Sequence, residues 1–347
     1  MSGFMDAPRA PVKDQWSPRL GVGYPITDRT AFHFSYGQFY QFPDLVNMYN
    51  YSNYQGEGIS PPGWSDEAND LAKDFLYGNP YYPFPYNITD WYIPEVGTPN
   101  VKPQRSVQYE TGLRTRIGNQ YLLTANLYYK DMFDYIASKR YDADPSQYAI
   151  YENMDYANSR GLEITLKKLF SNGFDWDLNY TLARAEGNAP TPDYHWYVAE
   201  WASGYDWRDF NRTYTMPWDQ THTINFRLNY FTPTGFGLSS IANYGSGLPY
   251  TPEDARARPI DEQYSGRMPS TSNVNLKLFY DRKMMGYDIR FFADITNLFD
   301  KENVLAVDNT TGEPDATLDS GQSPMVVWKP YYISAPRHIE IGISISR

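Results

Sequence analysis

The sequence predicts an all-β protein built from long antiparallel strands, and three observations lead to this prediction. First, aromatic residues are abundant: the 347 residues include 9 Trp, 33 Tyr and 18 Phe, which is 17 % of the chain. Second, apolar and polar residues alternate along eleven stretches, as they do in a strand with one apolar face. Third, short and long connections between these stretches strictly alternate. The many aromatic residues also distinguish the chain from a disordered one.

Three stretches show the alternation most clearly, and these are 222–230, 273–281 and 338–346. Their apolar positions are Ile224, Phe226, Leu228 and Tyr230, then Val274, Leu276, Leu278 and Tyr280, and finally Ile339, Ile341, Ile343 and Ile345. The other predicted strands lie at 16–24, 30–42, 107–117, 121–138, 150–170, 174–188, 236–251 and 287–299. Several are much longer than the strands of soluble domains, which average about five or six residues. Their length therefore argues against a soluble sandwich.

The connections fall into two classes. Short turns are predicted at 25–30, 117–120, 171–173, 233–235 and 282–286, and long extracellular loops at 43–106, 139–149, 189–220, 252–271 and 300–336. Long alternating strands with short turns at one end and long loops at the other are typical of a transmembrane antiparallel β-barrel of the outer-membrane type. In such a barrel the apolar face contacts lipid, the polar face lines the lumen, and closure satisfies the backbone. The aromatic residues are then expected at the two membrane interfaces.

The odd number of predicted strands has a further consequence. A closed barrel in which every pair is antiparallel needs an even number, because eleven strands would leave two parallel strands at the seam. We therefore expect that at least one strand is missing at the N-terminal side. On this interpretation residues 1–15 are the tail of an extracellular loop and residues 16–347 are the C-terminal portion of a barrel domain.

Composition and motifs exclude several functional classes. The net charge of −11 and the lack of a basic cluster argue against nucleic-acid binding, and there is no cysteine for a disulfide or a thiolate site. The four histidines lie at no metal-ligand spacing, and no known hydrolase, zinc-protease or phosphate-loop motif is present. We therefore predict no enzymatic role, no cofactor and no metal. Glu313, Asp315 and Asp319 could ligate calcium, but their spacing matches no EF-hand, so a solvated loop is the preferred interpretation.

Several short motifs occur in a characteristic order along the chain. They are SPRLG at 17–21, YG at 36–37, FP at 42–43, KPQ at 102–104, YETG at 109–112, NMDYANSRGLE at 153–163, PWDQ at 217–220, SGLPYTP at 246–252 and NLFDKEN at 297–303. This ordered set resembles the C-terminal barrel half of TonB-dependent outer-membrane receptors. The most specific motif is the one at 297–303, which resembles a strand-ending signature of that family.

The resemblance implies a fold, a function and a set of partners. Such receptors are 22-stranded barrels with an N-terminal plug that contacts TonB, so the eleven strands here would be half of a barrel without its plug. The implied function is TonB-energised uptake of a siderophore, cobalamin, a glycan or a peptide across the outer membrane of a Gram-negative bacterium. The implied partners are the N-terminal barrel half and plug, the TonB system acting through the plug, the barrel assembly machinery and outer-membrane lipid.

Two groups of residues are candidates for the functional site. Aromatic residues of two long loops would contact the nutrient through flat apolar rings, and they are Tyr77, Tyr81, Tyr82, Phe84, Tyr86, Trp91, Tyr194, Trp196, Trp201 and Trp207. The alternative is that these rings pack on one another or belong to the membrane interface. Charged residues on the predicted lumen face would contact the plug or line the pathway, and they are Glu110, Arg114, Arg116, Arg227, Lys277 and Arg290. The alternative is that they form salt bridges between strands.

Two other functions fit the same pattern. The first is a passive outer-membrane channel of about twelve strands, which would need no plug. The second is a soluble glycan-binding β-protein, which would explain an acidic, aromatic-rich chain without a membrane.

Overall fold

The computed structural model describes residues 11–49, 95–141, 148–190, 212–254, 259, 262–319, 324–328 and 330–346. Within them the protein is almost entirely antiparallel β-sheet, and eleven strands follow one another in a single hydrogen-bonded path. In chain order they are β1 (Arg19–Thr27), β2 (Thr30–Gln41), β3 (Gln104–Ile117), β4 (Tyr121–Tyr141), β5 (Tyr148–Ser171), β6 (Phe174–Gly187), β7 (His222–Phe231), β8 (Phe236–Gly245), β9 (Thr271–Met284), β10 (Tyr287–Thr296) and β11 (His338–Ser346). The predicted fold class and strand number are confirmed.

Each strand of the path pairs with the strands immediately before and after it in this order. The two outermost strands, β1 and β11, pair on one side only among the described residues, so the path is not closed into a barrel. This arrangement is a partial β-barrel, as the odd number of strands predicts.

The cross-strand register sorts the residues of the sheet onto two faces. Leu228 of β7 lies opposite Trp176 of β6, whereas the preceding residue, Arg227, lies opposite Asp177. Residues that pair directly share a face, and successive residues of a strand point to opposite faces. We call the face that carries Leu228 the apolar face and the face that carries Arg227 the polar face.

The three clearest predicted alternations agree with this register. The apolar residues of 222–230 pair directly with residues on the apolar face of β6 and β8. The apolar residues of 273–281 pair with residues on the apolar face of β8 and β10. The four isoleucines of β11 also lie on the apolar face, and each is between 53 and 79 % exposed. Contiguous exposed apolar surface of this kind indicates a membrane or a partner rather than water.

Tight turns join the strands at one end of the sheet. Asn172 and Gly173 have φ angles of 54° and 85°, and Met285 and Gly286 have φ angles of 53° and 83°. Positive φ at both central residues of a two-residue loop matches the right-handed twist of the strands that it joins. The first of these turns lies within the predicted turn at 171–173, and the second is shorter than the predicted turn at 282–286.

Two predicted strands are too long at their loop ends. The predicted strand 236–251 ends at Gly245, and residues Pro249–Tyr250 instead pair with Gly266–Arg267. The chain folds back here because Gly247 passes so close to Met268 that a Cβ would overlap its carbonyl oxygen. The predicted strand 287–299 ends at Thr296, because the next residue is left-handed and leaves the ladder.

Two of the long predicted loops overlap strands. Strand β3 begins at Gln104, inside the predicted loop 43–106. Strands β4 and β5 extend to Tyr141 and from Tyr148, so they occupy both ends of the predicted loop 139–149. An irregular register between Met132 and Ile136 adds twist at the point where the hairpin continues past its neighbours. The alternation of apolar residues is lost beyond this point, which is why the sequence did not predict the extension.

The described parts of the long connections contain short elements of their own. These are a helix at Leu45–Tyr49, a 3-10 helix at Pro330–Tyr332, and strands at Glu95–Val96, Tyr214–Thr215, Asp315–Asp319 and Pro324–Trp328. A small apolar cluster of Val101, Ile136 and Tyr151, with Met48 packed against it, holds the extended β4–β5 hairpin to the preceding connection. Among the residues described, none of the helices is both long and apolar enough to cross a membrane.

Candidate functional site

Opposite charges lie side by side on the polar face of β3 to β7. Arg116, Lys167, Asp177 and Arg227 belong to one cross-strand row. Lys167 Nζ lies 3.8 Å from Asp177 Oδ1, and Arg227 donates a hydrogen bond to the other oxygen of the same carboxylate. In this row the Asp177 carboxylate lies between Lys167 and Arg227 and balances both, whereas Leu122 separates Arg116 from Lys167.

The same arrangement continues on β9 and β10. Arg290 donates two hydrogen bonds to the Asp281 carboxylate, at 2.6 and 2.7 Å, which is the bidentate geometry of a strong pair. Lys277 Nζ donates to Asp294 Oδ2 at 2.9 Å. The side chains of all four residues are between 36 and 47 % exposed. We call the polar-face rows that contain these pairs, together with the row of Arg227, the charged zone.

All six charged residues predicted for the lumen lie on the polar face. Four of them, namely Arg116, Arg227, Lys277 and Arg290, belong to the charged zone. Glu110 and Arg114 lie higher on β3, where Glu110 faces His33 Nε2 at 3.7 Å. The Arg114 side chain makes no hydrogen bond or ion pair with any other described residue. A role for these residues in contacting a plug stays a prediction.

Amide side chains replace charges toward the loop end of the polar face. Thr165, Asn179, Asn225, Asn243 and Asn273 form one row across β5 to β9, and we call them the amide row. Within the row, Thr165 donates to Asn179 Oδ1 at 2.9 Å, and Asn243 donates to Asn225 Oδ1 at 2.6 Å. Asn273 donates to Asn275 below the row at 3.0 Å. The row therefore combines donors and acceptors without net charge.

A cleft of about 410 Å³ opens above the amide row between β7 and β10. The described residues that line it include Asn225, Asn243 and Asn273 from the row. They also include Gln220, which precedes β7, and Thr223, near the start of that strand. Hydroxyl, amide and small apolar groups make up the rest of this lining, and none of the described lining residues is charged. The cleft is thus chemically distinct from the charged zone below it.

The motif at 297–303 forms one wall of the cleft. Asn297 and Asp300 both have φ angles near 54°, so the chain turns sharply as it leaves β10. The Asn297 amide donates to the carbonyls of Lys301 and Ala335 at 3.0 and 3.1 Å. Asn303 exchanges two hydrogen bonds with the backbone of Ser272. The motif therefore ties the ends of β9, β10 and β11 together.

The motif at 217–220 lies on the opposite side of the cleft, which Gln220 lines. Asp219 is 2 % exposed and accepts hydrogen bonds from Ala185 N at 2.7 Å and from Arg267 Nη2 at 2.6 Å. Arg267 also donates to the carbonyl of Gly247 at 3.2 Å. This buried carboxylate connects β6 with two loop segments. Burial also raises the pKa of Tyr264, which lies in the loop segment that contains Arg267.

The ten predicted loop aromatics lie outside the described residues, so their role as nutrient contacts stays a prediction. They are Tyr77, Tyr81, Tyr82, Phe84, Tyr86, Trp91, Tyr194, Trp196, Trp201 and Trp207. In the part of the chain that the structure describes, no group of three or more His, Asp or Glu residues is placed to hold a metal ion.

Sequence reasoning missed the amide row and the buried Asp219. The amide row was visible as Asn at polar positions of four predicted strands, but register is needed to show that these residues meet. The contact of Asp219 with Arg267 spans 48 residues and two loops, and nothing in the sequence pairs them.

Residues 4–298 match the family described as TonB dependent receptor-like, beta-barrel. The chain belongs to this family. Its members are transport receptors of the outer membrane rather than enzymes. The family resemblance of the sequence motifs is thereby confirmed. No curated protein matches the chain.

Solved structures of several receptors share the fold at low sequence identity. They include the ferric-catecholate import receptor Fiu from Escherichia coli K12 (14 % identity, TM-score 0.51), the outer-membrane transporter YddB from Escherichia coli (11 %, 0.57) and a variant of the ferric enterobactin receptor PfeA from Pseudomonas aeruginosa in complex with enterobactin (16 %, 0.56). The similarity covers 94, 94 and 95 % of this chain. The chain spans only 34, 40 and 40 % of theirs.

Proposed function

We propose that this chain is part of an outer-membrane receptor that takes up a scarce nutrient with energy delivered by TonB. The observation that carries the proposal is a family-matched sheet with one exposed apolar face and one polar face. Lipid would cover the apolar face, since a barrel tolerates charge toward its lumen and excludes it from its lipid surface. The protein would therefore reside in the outer membrane of a Gram-negative bacterium.

In this proposal the polar face and the long loops have different partners. The charged zone would contact the plug and, with Glu110 and Arg114, line the pathway that the nutrient takes. The aromatic loop residues would contact the nutrient first, at the extracellular end. The remaining partners would be the rest of the barrel, the TonB system acting through the plug, and the barrel assembly machinery. No catalytic residue is proposed.

Fiu and PfeA handle iron chelates, as their names state, and a nutrient of similar scarcity would require energised transport. For this chain the proposed nutrient classes are siderophores, cobalamin, glycans and peptides.

Energy-dependent uptake tests this proposal. A strain that expresses the full-length receptor would be grown on candidate nutrients, and uptake of a labelled nutrient would be compared in isogenic strains with and without TonB. We expect uptake that is lost without TonB and after an uncoupler removes the proton gradient. Uptake that continues at an equal rate without TonB would contradict the proposal and support a passive channel.

A further inference from the structure

The cleft above the amide row differs from the charged zone in the kind of ligand that it suits. The ion pairs of the charged zone satisfy one another. The cleft instead presents hydroxyl, amide and apolar groups, with no charge among the described residues that line it. A multiply charged ligand would lose its hydration there without gaining an opposite charge, which is costly.

Two exposed amides of the row keep hydrogen-bonding capacity free. The Asn225 carbonyl oxygen accepts from Asn243, while the Asn225 amide nitrogen has no partner among the described residues. The Asn243 carbonyl oxygen likewise has none. At the floor of the cleft, Asn273 Oδ1 is buried without a partner. A free donor therefore lies beside a free acceptor on neighbouring strands, which are separated by about 5 Å.

A glycine makes room for the Gln220 side chain in the wall of the cleft. Gly245 lies in the row directly above, between Thr223 and Thr271. A Cβ at this position would overlap the side-chain amide of Gln220, which lies across the glycine. The Gln220 amide is held there by Ser246 O at 3.2 Å and by Thr223 Oγ1 at 2.9 Å. The floor and side of the cleft are thus fixed before any ligand enters.

From these features we infer that the cleft binds a neutral, polyhydroxylated solute of the carbohydrate class. A hydroxyl group donates and accepts at once, so it can satisfy the free Asn225 nitrogen and the free Asn243 oxygen together. Because no charge is needed, the lack of charged lining residues favours this class over anionic chelates. The inference rests on the proposed function, since it names the nutrient class that the receptor would transport.

Binding of a defined panel of ligands tests this inference. The full-length receptor, purified in detergent, would be applied to an array of neutral oligosaccharides, and the best binder would be titrated by calorimetry. A ferric tris-catecholate complex and a neutral pentapeptide would be titrated in parallel. We expect an oligosaccharide to bind and the other two probes to bind at least tenfold more weakly.

Two isosteric variants locate the site. Asn225→Asp and Asn243→Asp each remove two amide hydrogens and add a negative charge, so we expect each to weaken oligosaccharide binding at least tenfold. The matched control is Asn119→Asp in the turn between β3 and β4, which should bind as the unmodified receptor does. Thermal unfolding of all three variants would show that the barrel is intact. Retained affinity in both cleft variants would overturn the assignment of the site.

The remaining outcomes separate the two proposals. Binding of the ferric complex or the peptide, with no oligosaccharide bound, would overturn the carbohydrate inference and leave energised uptake standing. Oligosaccharide binding without TonB-dependent uptake would overturn the proposed function and leave the carbohydrate site standing.

Discussion

The apolar and polar faces of the sheet differ in how their charged side chains are solvated. On the apolar face of β5 and β6, the side chains of Lys168, Arg160 and Arg184 bind backbone carbonyls or an opposite charge. Lys168 is 4 % exposed and donates to the carbonyls of Ser171 and Phe174 in the adjoining turn. Arg160 and Arg184 lie at the other end, and both pair with Glu186 at 3.0 and 2.6 Å.

On the polar face, charged side chains at the height of Lys168 stay partly exposed. Arg227 and Asp177 lie one residue from Leu228 and Trp176, which occupy the apolar face at the same height. Arg227 and Asp177 pair with each other across the two strands. Lys168 lies in the cross-strand row of Trp176 and Leu228, yet its ammonium group is bound by backbone carbonyls, whereas the Arg227 side chain at the same height is 52 % exposed. This difference in solvation distinguishes the two faces. It also agrees with the proposal that lipid covers one face and water the other.

The most severe test of this comparison places an arginine on either face of β7. Leu228→Arg puts a charge on the apolar face, in the cross-strand row of Trp176 and Lys168, and should destabilise the folded receptor by roughly 2–4 kcal/mol. Asn229→Arg puts the same charge on the polar face beside Asp175, to which Asn229 already donates a hydrogen bond at 3.0 Å, and should be nearly neutral. Unfolding of both variants by denaturant in lipid vesicles measures the difference. Equal losses would mean that the two faces are wrongly assigned.

The second test removes a buried carboxylate, that of Asp219, from a loop segment outside the strands. Asp219→Ala leaves Ala185 N and Arg267 without their acceptor, and we expect a loss of about 2–3 kcal/mol. The control is Asp288→Ala, because Asp288 is half exposed and lies 3.6 Å from Lys283, an arrangement worth at most about 1 kcal/mol. Thermal unfolding compares the two. A smaller loss for the Asp219 variant would show that its network does not hold the loop roots together.

The sequence predicted the faces better than the ends of the strands. Alternation assigned Leu228 and Ile341 to the apolar face and Arg227 to the polar face, because a period of two leaves only these choices once a strand is present. The ends depend on contacts that no local pattern contains. Strand β8 stops because Gly247 meets Met268, which lies 21 residues further along the chain. The site was predicted least, since the amide row exists only after five strands are in register.

The third test extends the comparison from the faces to the long loops. If loop aromatics contact the nutrient as buried interface rings do, Trp91→Ala and Trp201→Ala should each weaken binding by about 1–2 kcal/mol, on the order of tenfold. Barrel stability should hardly change, because the sequence assigns both residues to predicted loops rather than to a predicted lipid-facing strand. Titration of the full-length receptor and thermal unfolding measure the two effects. Unchanged affinity in both variants would assign these rings to loop packing and leave the charged residues of the polar face as candidates.

The smallest expected effect tests whether water reaches the polar face. Arg290 and Asp281 form a bidentate pair with side chains 47 and 44 % exposed. A pair of this kind in water contributes about 0.2–1 kcal/mol, and added salt weakens it. A double-mutant cycle of Arg290→Ala and Asp281→Ala, measured by unfolding in vesicles at low and high salt, gives the coupling free energy. We expect a coupling within that range that falls as the ionic strength rises. A much larger coupling that salt does not change would mean that the pair lies in a medium of low dielectric constant. The polar face would then be sealed from water at this height, and its charges could not line a hydrated pathway.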